Sequence, residues 1–268
     1  MCDIQMNILF WNLKKNSNAQ WIKHIIIENN VDIAVFAEYE NTDFEEVIRN
    51  LKNQFIRHDG KGGCNKITLL CSSNYHVTVK REQSRYTLYS VYSEVFSINL
   101  VGVHLPSNPY GDANRRRVVI RDLVNDINEL ENENNHRRTI VIGDMNCNPF
   151  DEEMIQIDSF NAVLFKQLIL QKELVDFENK RYRRFFNPII HYLNEDTQSY
   201  GTYYYSSGSA LIYWNCFDQV LVRKELCDVI RRVDIIREIN GKKLIKRIKP
   251  NDEISDHLPL LLNIDLRM

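Results

Sequence analysis

Two short stretches, Ser255-Asp256-His257-Leu258-Pro259 and Gly143-Asp144-Met145-Asn146, hold the residue types that a metal-assisted attack on a phosphate ester requires. Carboxylates hold a hard divalent cation, an imidazole exchanges a proton, and an amide donor steadies phosphoryl oxygens. Residues of the same kinds recur at the ends of apolar runs elsewhere. The run 7–11 ends on Asn12, the run 32–37 ends on Glu38, the run 100–103 ends on His104, and Asp218 stands at the head of the run 219–222. Each tetrapeptide is weak alone; the ordered set of polar strand ends is the signal.

Every member also has a plainer reading. A carboxylate closing an apolar strand is unfavourable unless exposed or paired, so Glu38 is the candidate principal ligand of a magnesium or manganese ion, against a solvated strand-end acid. Asn12 is a carbonyl ligand or an orienting amide, against an Asx turn through Leu13-Lys14-Lys15-Asn16. Asp144 and Asn146 share one side if the backbone stays extended across Met145. The alternative is a Gly-Asp turn with the Asn capping a helix before Pro149. Asp256 and His257 are neighbours and point apart in an extended backbone, so a turn must intervene if both serve one site. Otherwise His257 is a buried structural imidazole beside Pro259, and His104 a core-edge imidazole bonded to backbone.

These residues need a scaffold, and periodicity outlines it. Thr42-Asp43-Phe44-Glu45 reads as a capping box, followed by Phe44, Val47, Ile48 and Leu51 at helical spacing. Ile120, Leu123, Val124, Ile127 and Leu130 repeat that spacing between His104 and the strand at 139–142. Residues 233–239 and 242–248, joined by Asn240-Gly241, read as a hairpin on a type I′ turn. Crossover helices together with hairpins predict mixed sheets. Between Phe150 and Trp214 lies a variable stretch, helical in pattern at Val163, Leu164, Gln167 and Leu168, then aromatic and basic from Lys180 to Phe186 and aromatic again from Tyr200 to Tyr205.

At 268 residues and 44% hydrophobic the chain suits one large domain spanning 1–268, and no Pro/Gly/Ser-rich linker divides it. No apolar run approaches the roughly 18 residues of a membrane span, and the first residues lack a secretory signal, so the cytoplasm is the expected address. Cys2, Cys64, Cys71, Cys147, Cys216 and Cys227 show no zinc spacing and read as reduced thiols. A formal net charge of -2 argues against a broad basic coat for nucleic acid, while leaving room for a local basic face.

The order of these stations, from Asn7 to Ile264, resembles the endonuclease/exonuclease/phosphatase superfamily, whose members are similar to deoxyribonuclease I. That resemblance implies an α/β fold of two packed mixed β-sheets flanked by helices, a four-layer sandwich with its site at one rim. It implies Asn12, Glu38 and Asp256 as the metal set for Mg2+ or Mn2+. It makes Asp144 the group that orients or deprotonates water, Asn146 a donor to the phosphate or nucleophile, His257 the proton-transfer group and Asp218 the partner fixing its tautomer. Members that hydrolyse DNA phosphodiesters or sphingolipids often carry a second histidine where His104 stands.

The expected activity is a nuclease hydrolysing DNA or RNA by in-line water attack. The alternatives are a phosphatase or phosphodiesterase of a small or lipid phosphate such as an inositol phosphate, and a noncatalytic binding module on the same fold. Arg115-Arg116-Arg117 and the segment Arg181 to Phe186 are candidate phosphate and base contacts, although a solvated face and core packing explain them as well. His24, His58, His76, His136 and His191 lack such context and read as surface or structural.

Overall fold

A computed structural model describes residues 5–107, 113–193, 200–206 and 213–266; Cys2 lies outside them. The first half of the chain gives β1 (Gln5–Asn12), α1 (Ala19–Glu28), β2 (Ile33–Ala37), α2 (Phe44–Asn50), β3 (Phe55–Asp59), β4 (Ile67–Ser72), β5 (His76–Gln83), β6 (Tyr86–Tyr92), β7 (Ser97–His104), α3 (Ala113–Glu133) and β8 (Thr139–Asp144). One six-stranded sheet runs Ile230–Ile235, Leu260–Asp265, β1, β2, β4, β3; a seven-stranded sheet runs β5, β6, β7, β8, Asp218–Val222, Phe185–Phe186, Ala162–Val163. Both are mixed. β1 pairs parallel with β2 and β7 with β8, because α1 and α3 carry the chain back across each sheet, whereas directly joined strands pair antiparallel.

Period-two burial builds the layers. Leu100, Ile140, Ile142, Val220 and Val222 join the core between the two sheets. Their neighbours Val101, Val141 and Leu221 join a second cluster with Ile120, Leu123, Ile127 and Leu130, the apolar stripe of α3. The helix Ala19–Glu28 buries Ile22, Ile25 and Ile26 against the first sheet. The result is the expected α/β sandwich of two mixed sheets with helices outside them.

The sheets approach closely at Gly102, where a Cβ would lie 2.7 Å from Ile67 Cγ2 and 2.9 Å from Val35 Cγ1. Gly102→Ala is therefore expected to lower stability by about 1–3 kcal/mol through overpacking. Urea denaturation reads this directly, and an unchanged midpoint would mean the sheets part there freely.

Several local expectations shift. α2 is capped by Asp43, whose side chain accepts from Glu46 N at 3.0 Å, while the Thr42 hydroxyl donates to Asn16 O instead. Asn240 and Gly241 do adopt φ of 52° and 69°, as a type I′ turn requires. The hairpin around them is limited to Glu238–Ile239 with Lys242–Lys243, because Ile230–Ile235 pairs with Leu260–Asp265 and buries Val233 and Ile235 there. Val163 lies in a short strand and the following helix starts only at Lys166, since a few apolar residues at helical spacing do not distinguish the two states. The five described cysteines are buried free thiols, and no helix among the described residues is long and apolar enough to cross a membrane.

Candidate active site

Strand direction brings the polar ends to one rim. Asn12 pairs in register with Ala37, so Glu38 follows at the same edge, and there the backbone turns through φ 48°. In the other sheet His104 pairs with Asp144 in parallel register, and Asp218 begins an antiparallel strand opposite Asp144. Gly143 makes that register possible, because a Cβ on it would fall 2.1 Å from Val103 O. The turn before Leu260–Asp265 delivers Asp256 and His257 to the same end.

Asp144 is the hub. Its Oδ2 accepts from Asn12 Nδ2 at 3.2 Å and faces His104 Nε2 at 3.7 Å and His257 Nε2 at 3.9 Å. Glu38 Oε1 stands 3.6 Å from His104 Nε2, with its side chain 30% exposed. His257 Nδ1 donates to Asp218 Oδ2 at 2.8 Å, which fixes the tautomer and aims Nε2 toward Asp144. Asp218 is itself held, its backbone N donating to Thr202 Oγ1 at 3.0 Å.

Three further contacts lock the imidazole. The Ser255 hydroxyl donates to Asn12 O at 2.6 Å and accepts from His257 N at 3.1 Å. Trp11 Nε1 donates to His257 O, and the Tyr203 ring lies 4.8 Å from the imidazole while stacking on Phe217.

Burial alone would push the His257 pKa down, but the Asp218 carboxylate outweighs it, with Asp144 and Asp256 adding to the rise. A folded-state pKa above the unfolded value means this pair stabilises the fold fully below the ordinary imidazole range. The contribution fades as pH climbs through the raised value. NMR titration of His257 in EDTA should show that rise, and Asp218→Asn should pull the pKa well down because the desolvation remains. An Asp218→Asn protein with an unmoved titration would deny the pairing its electrostatic role.

The expected residues are not all disposed as their spacing suggests. Asn12 closes the Asx turn of its plainer reading, its Oδ1 accepting from Lys14 N at 3.0 Å, while its amide reaches Asp144. The backbone does not stay extended across Met145. Asn146 turns at φ 51°, its N donates to Asp144 Oδ1 at 2.8 Å and its Nδ2 donates to Leu105 O at 2.8 Å. Asn146 thus braces the Asp144 carboxylate and the His104 loop, rather than standing beside Asp144 on a shared strand face.

Asp256 pairs with Lys14 Nζ at 3.8 Å, and the same ammonium holds Asp252 at 3.0 Å. Arg116, in a run whose plainer reading was a solvated helix face, is only 5% exposed, bonded to Asn146 O and 3.5 Å from Glu153. Thr202, Tyr203, Ser255 and Lys14 were not singled out from the sequence. Ser255 stands inside the motif read there, but the others act through folding and carry no spacing signal.

Asp144, Asp218 and His257 each place a ligand atom within 4.8 Å of one another, a geometry open to a cation. His257 Nδ1 already serves Asp218, and the expected metal carboxylates Glu38 and Asp256 lie outside this group, Glu38 beside His104 and Asp256 beside Lys14. The carboxylate oxygens of Asp144, Glu38 and Asp256 are hard donors of the kind that magnesium or manganese takes.

A family model described as the Endonuclease/Exonuclease/phosphatase family matches residues 4–257. No curated protein matches by sequence. Among solved structures, D. rerio TDP2 complexed with single-strand DNA product aligns with TM-score 0.60 at 13% identity, over 97% of this chain and 99% of that one. The endonuclease/exonuclease/phosphatase from Bacteroides vulgatus gives TM-score 0.60 at 14% identity, over 98% and 100%. The 3' phosphatase NExo from Neisseria, bound to product DNA hairpin, gives TM-score 0.54 at 13% identity, over 97% and 99%.

Proposed function

Because the chain belongs to the Endonuclease/Exonuclease/phosphatase family, we propose that it is a divalent-metal-dependent phosphodiesterase that hydrolyses DNA or RNA by in-line attack of water. The observation that carries this reading is the His257 imidazole held at Nδ1 by Asp218, with Nε2 presented to the Asp144 carboxylate. At 3.9 Å that gap is too long for a hydrogen bond, so the Nε2 hydrogen is available to a third oxygen lying beside Asp144.

In this reading Asp144 Oδ2 orients the attacking water and accepts its proton, with the carboxylate braced by Asn12 and Asn146. His257, kept in its charged form by Asp218, gives the Nε2 proton to the leaving oxygen. His104, between Glu38 and Asp144, donates to a phosphoryl oxygen. A divalent ion held by Glu38 and Asp256, with the Asn12 amide beside them, would supply positive charge against the developing phosphoryl charge. The strand whose Tyr203 ring lies against His257 continues into an aromatic cluster in which Tyr200, Tyr204, Tyr213 and Trp214 have ring separations of 5.4–6.3 Å, and Tyr200 and Tyr213 are exposed. Such a surface favours unpaired bases, which stack on aromatic rings whatever their identity.

The test compares plasmid, single-stranded DNA and RNA with inositol phosphates and an aryl phosphodiester. Cleavage of nucleic acid in magnesium, abolished by EDTA and restored by manganese, is the expected result. Turnover confined to the small esters would replace the nuclease reading with the small-ester one, and activity that survives EDTA would contradict the chemistry.

A further inference from the structure

Away from the rim, a cavity of about 720 Å³ lies between the outer face of α3 and the hairpin formed by Leu174–Phe177 and Lys180–Arg183. Its lining holds five cationic side chains, Arg121, Arg137, Lys180, Arg181 and Arg183, on a chain whose formal net charge is -2. Arg181 and Arg183 are matched by Asp176 and Glu173. Arg121, Arg137 and Lys180 have no ion pair among the described residues.

The two carboxylates in the lining do not offset these cations, because residues outside it already engage both. Glu131 Oε1 accepts from Arg223 Nε at 2.8 Å with both side chains inaccessible, and Asp158 lies 3.6 Å from Arg117. Arg137 Nε is moreover a buried donor without a partner, while its Nη2 donates to Asn132 Oδ1 at 3.3 Å. Asn125, Asn128 and Asn132 add amides along the same helix face, and Tyr182 adds an aromatic ring. Like charges converging on one cleft repel unless an anion compensates them, and an orphaned guanidinium donor calls for an acceptor oxygen.

We infer that this cleft is a second binding site, distinct from the rim, that takes the phosphate groups of a nucleotide. Arg121, Arg137 and Lys180 face the phosphate oxygens, guanidinium groups being suited to bidentate contact, and the asparagine amides and Tyr182 meet the sugar and base. The phosphates belong either to a free nucleotide or to a strand laid across the hairpin. The site rests on its own charges and does not require the rim to hydrolyse nucleic acid.

Affinities for inorganic pyrophosphate and for a short fluorescein-labelled oligothymidylate, measured in EDTA by calorimetry and anisotropy, test this. The Arg121→Glu/Lys180→Glu protein should bind at least one of them about tenfold more weakly, with a shallower salt dependence, roughly one unit of log–log slope per lost phosphate contact. Both side chains are exposed, so its melting temperature should hold; if it does not, Arg121→Gln/Lys180→Gln replaces it. Weakening for pyrophosphate assigns the site to free nucleotides, and weakening for the oligonucleotide alone assigns it to a strand. His257→Ala should leave this binding intact, which separates the site from the rim. Unchanged affinity for both probes in a folded variant would overturn the inference.

Discussion

His257→Ala is expected to lower kcat on a phosphodiester by at least about a hundredfold while KM changes little, because the lost proton transfer occurs in the transition state. A hundredfold corresponds to about 2.7 kcal/mol of barrier. The same order of loss is expected for Asp218→Asn, since Asp218 holds the His257 Nδ1 at 2.8 Å. The double variant should be scarcely worse than either single one, as residues acting as a unit are not additive. Asp144→Asn should match them. A loss below about threefold in any of these would place the chemistry elsewhere.

The largest effect on stability is expected at Arg223, which is wholly buried. Its guanidinium pairs with Glu131 at 2.8 Å, donates to Arg183 O and Arg184 O, and lies 3.7 Å over the Phe185 ring. Arg223→Ala leaves the Glu131 carboxylate in the interior with the Thr139 hydroxyl as its one remaining hydrogen-bond donor among the described side chains. Breaking a buried ion pair from one side lowers stability by about 3–5 kcal/mol, a large share of the about 5–15 kcal/mol that holds a domain folded. Removing both charges as Glu131→Gln/Arg223→Met should recover much of that loss. Denaturant midpoints of the two proteins give the answer, and a double variant no more stable than Arg223→Ala would show that shape, not charge, governs the site.

Much of this was legible in the chain. Apolar runs closing on Asn12, Glu38, His104 and Asp144 declared both the strands and the edge at which they end, because a polar residue there escapes the core between the sheets. The α3 stripe was equally plain, since twenty-one residues hold a clear period. What stayed hidden was set by tertiary contact. The left-handed turn at Asn146 exists because Leu105 O and Asp144 Oδ1 capture its two donors, and nothing in Asp144-Met145-Asn146 announces that. Burial of Arg116 depends on Glu153, a residue of the next helix. Asn240-Gly241 marks the turn of its hairpin, but the residues on either side overstate the length of the arms, because the C-terminal strand competes for Ile230–Ile235.

In the proposed mechanism the rim gathers these acids and imidazoles around one divalent ion. Anomalous diffraction from crystals soaked in manganese tests it most directly. A peak is expected within coordination distance of a Glu38 carboxylate oxygen, absent from Glu38→Gln crystals, with His257 still bonded to Asp218 nearby. A wild-type crystal with no peak beside Glu38, or with manganese bound only at a distant surface, would contradict it.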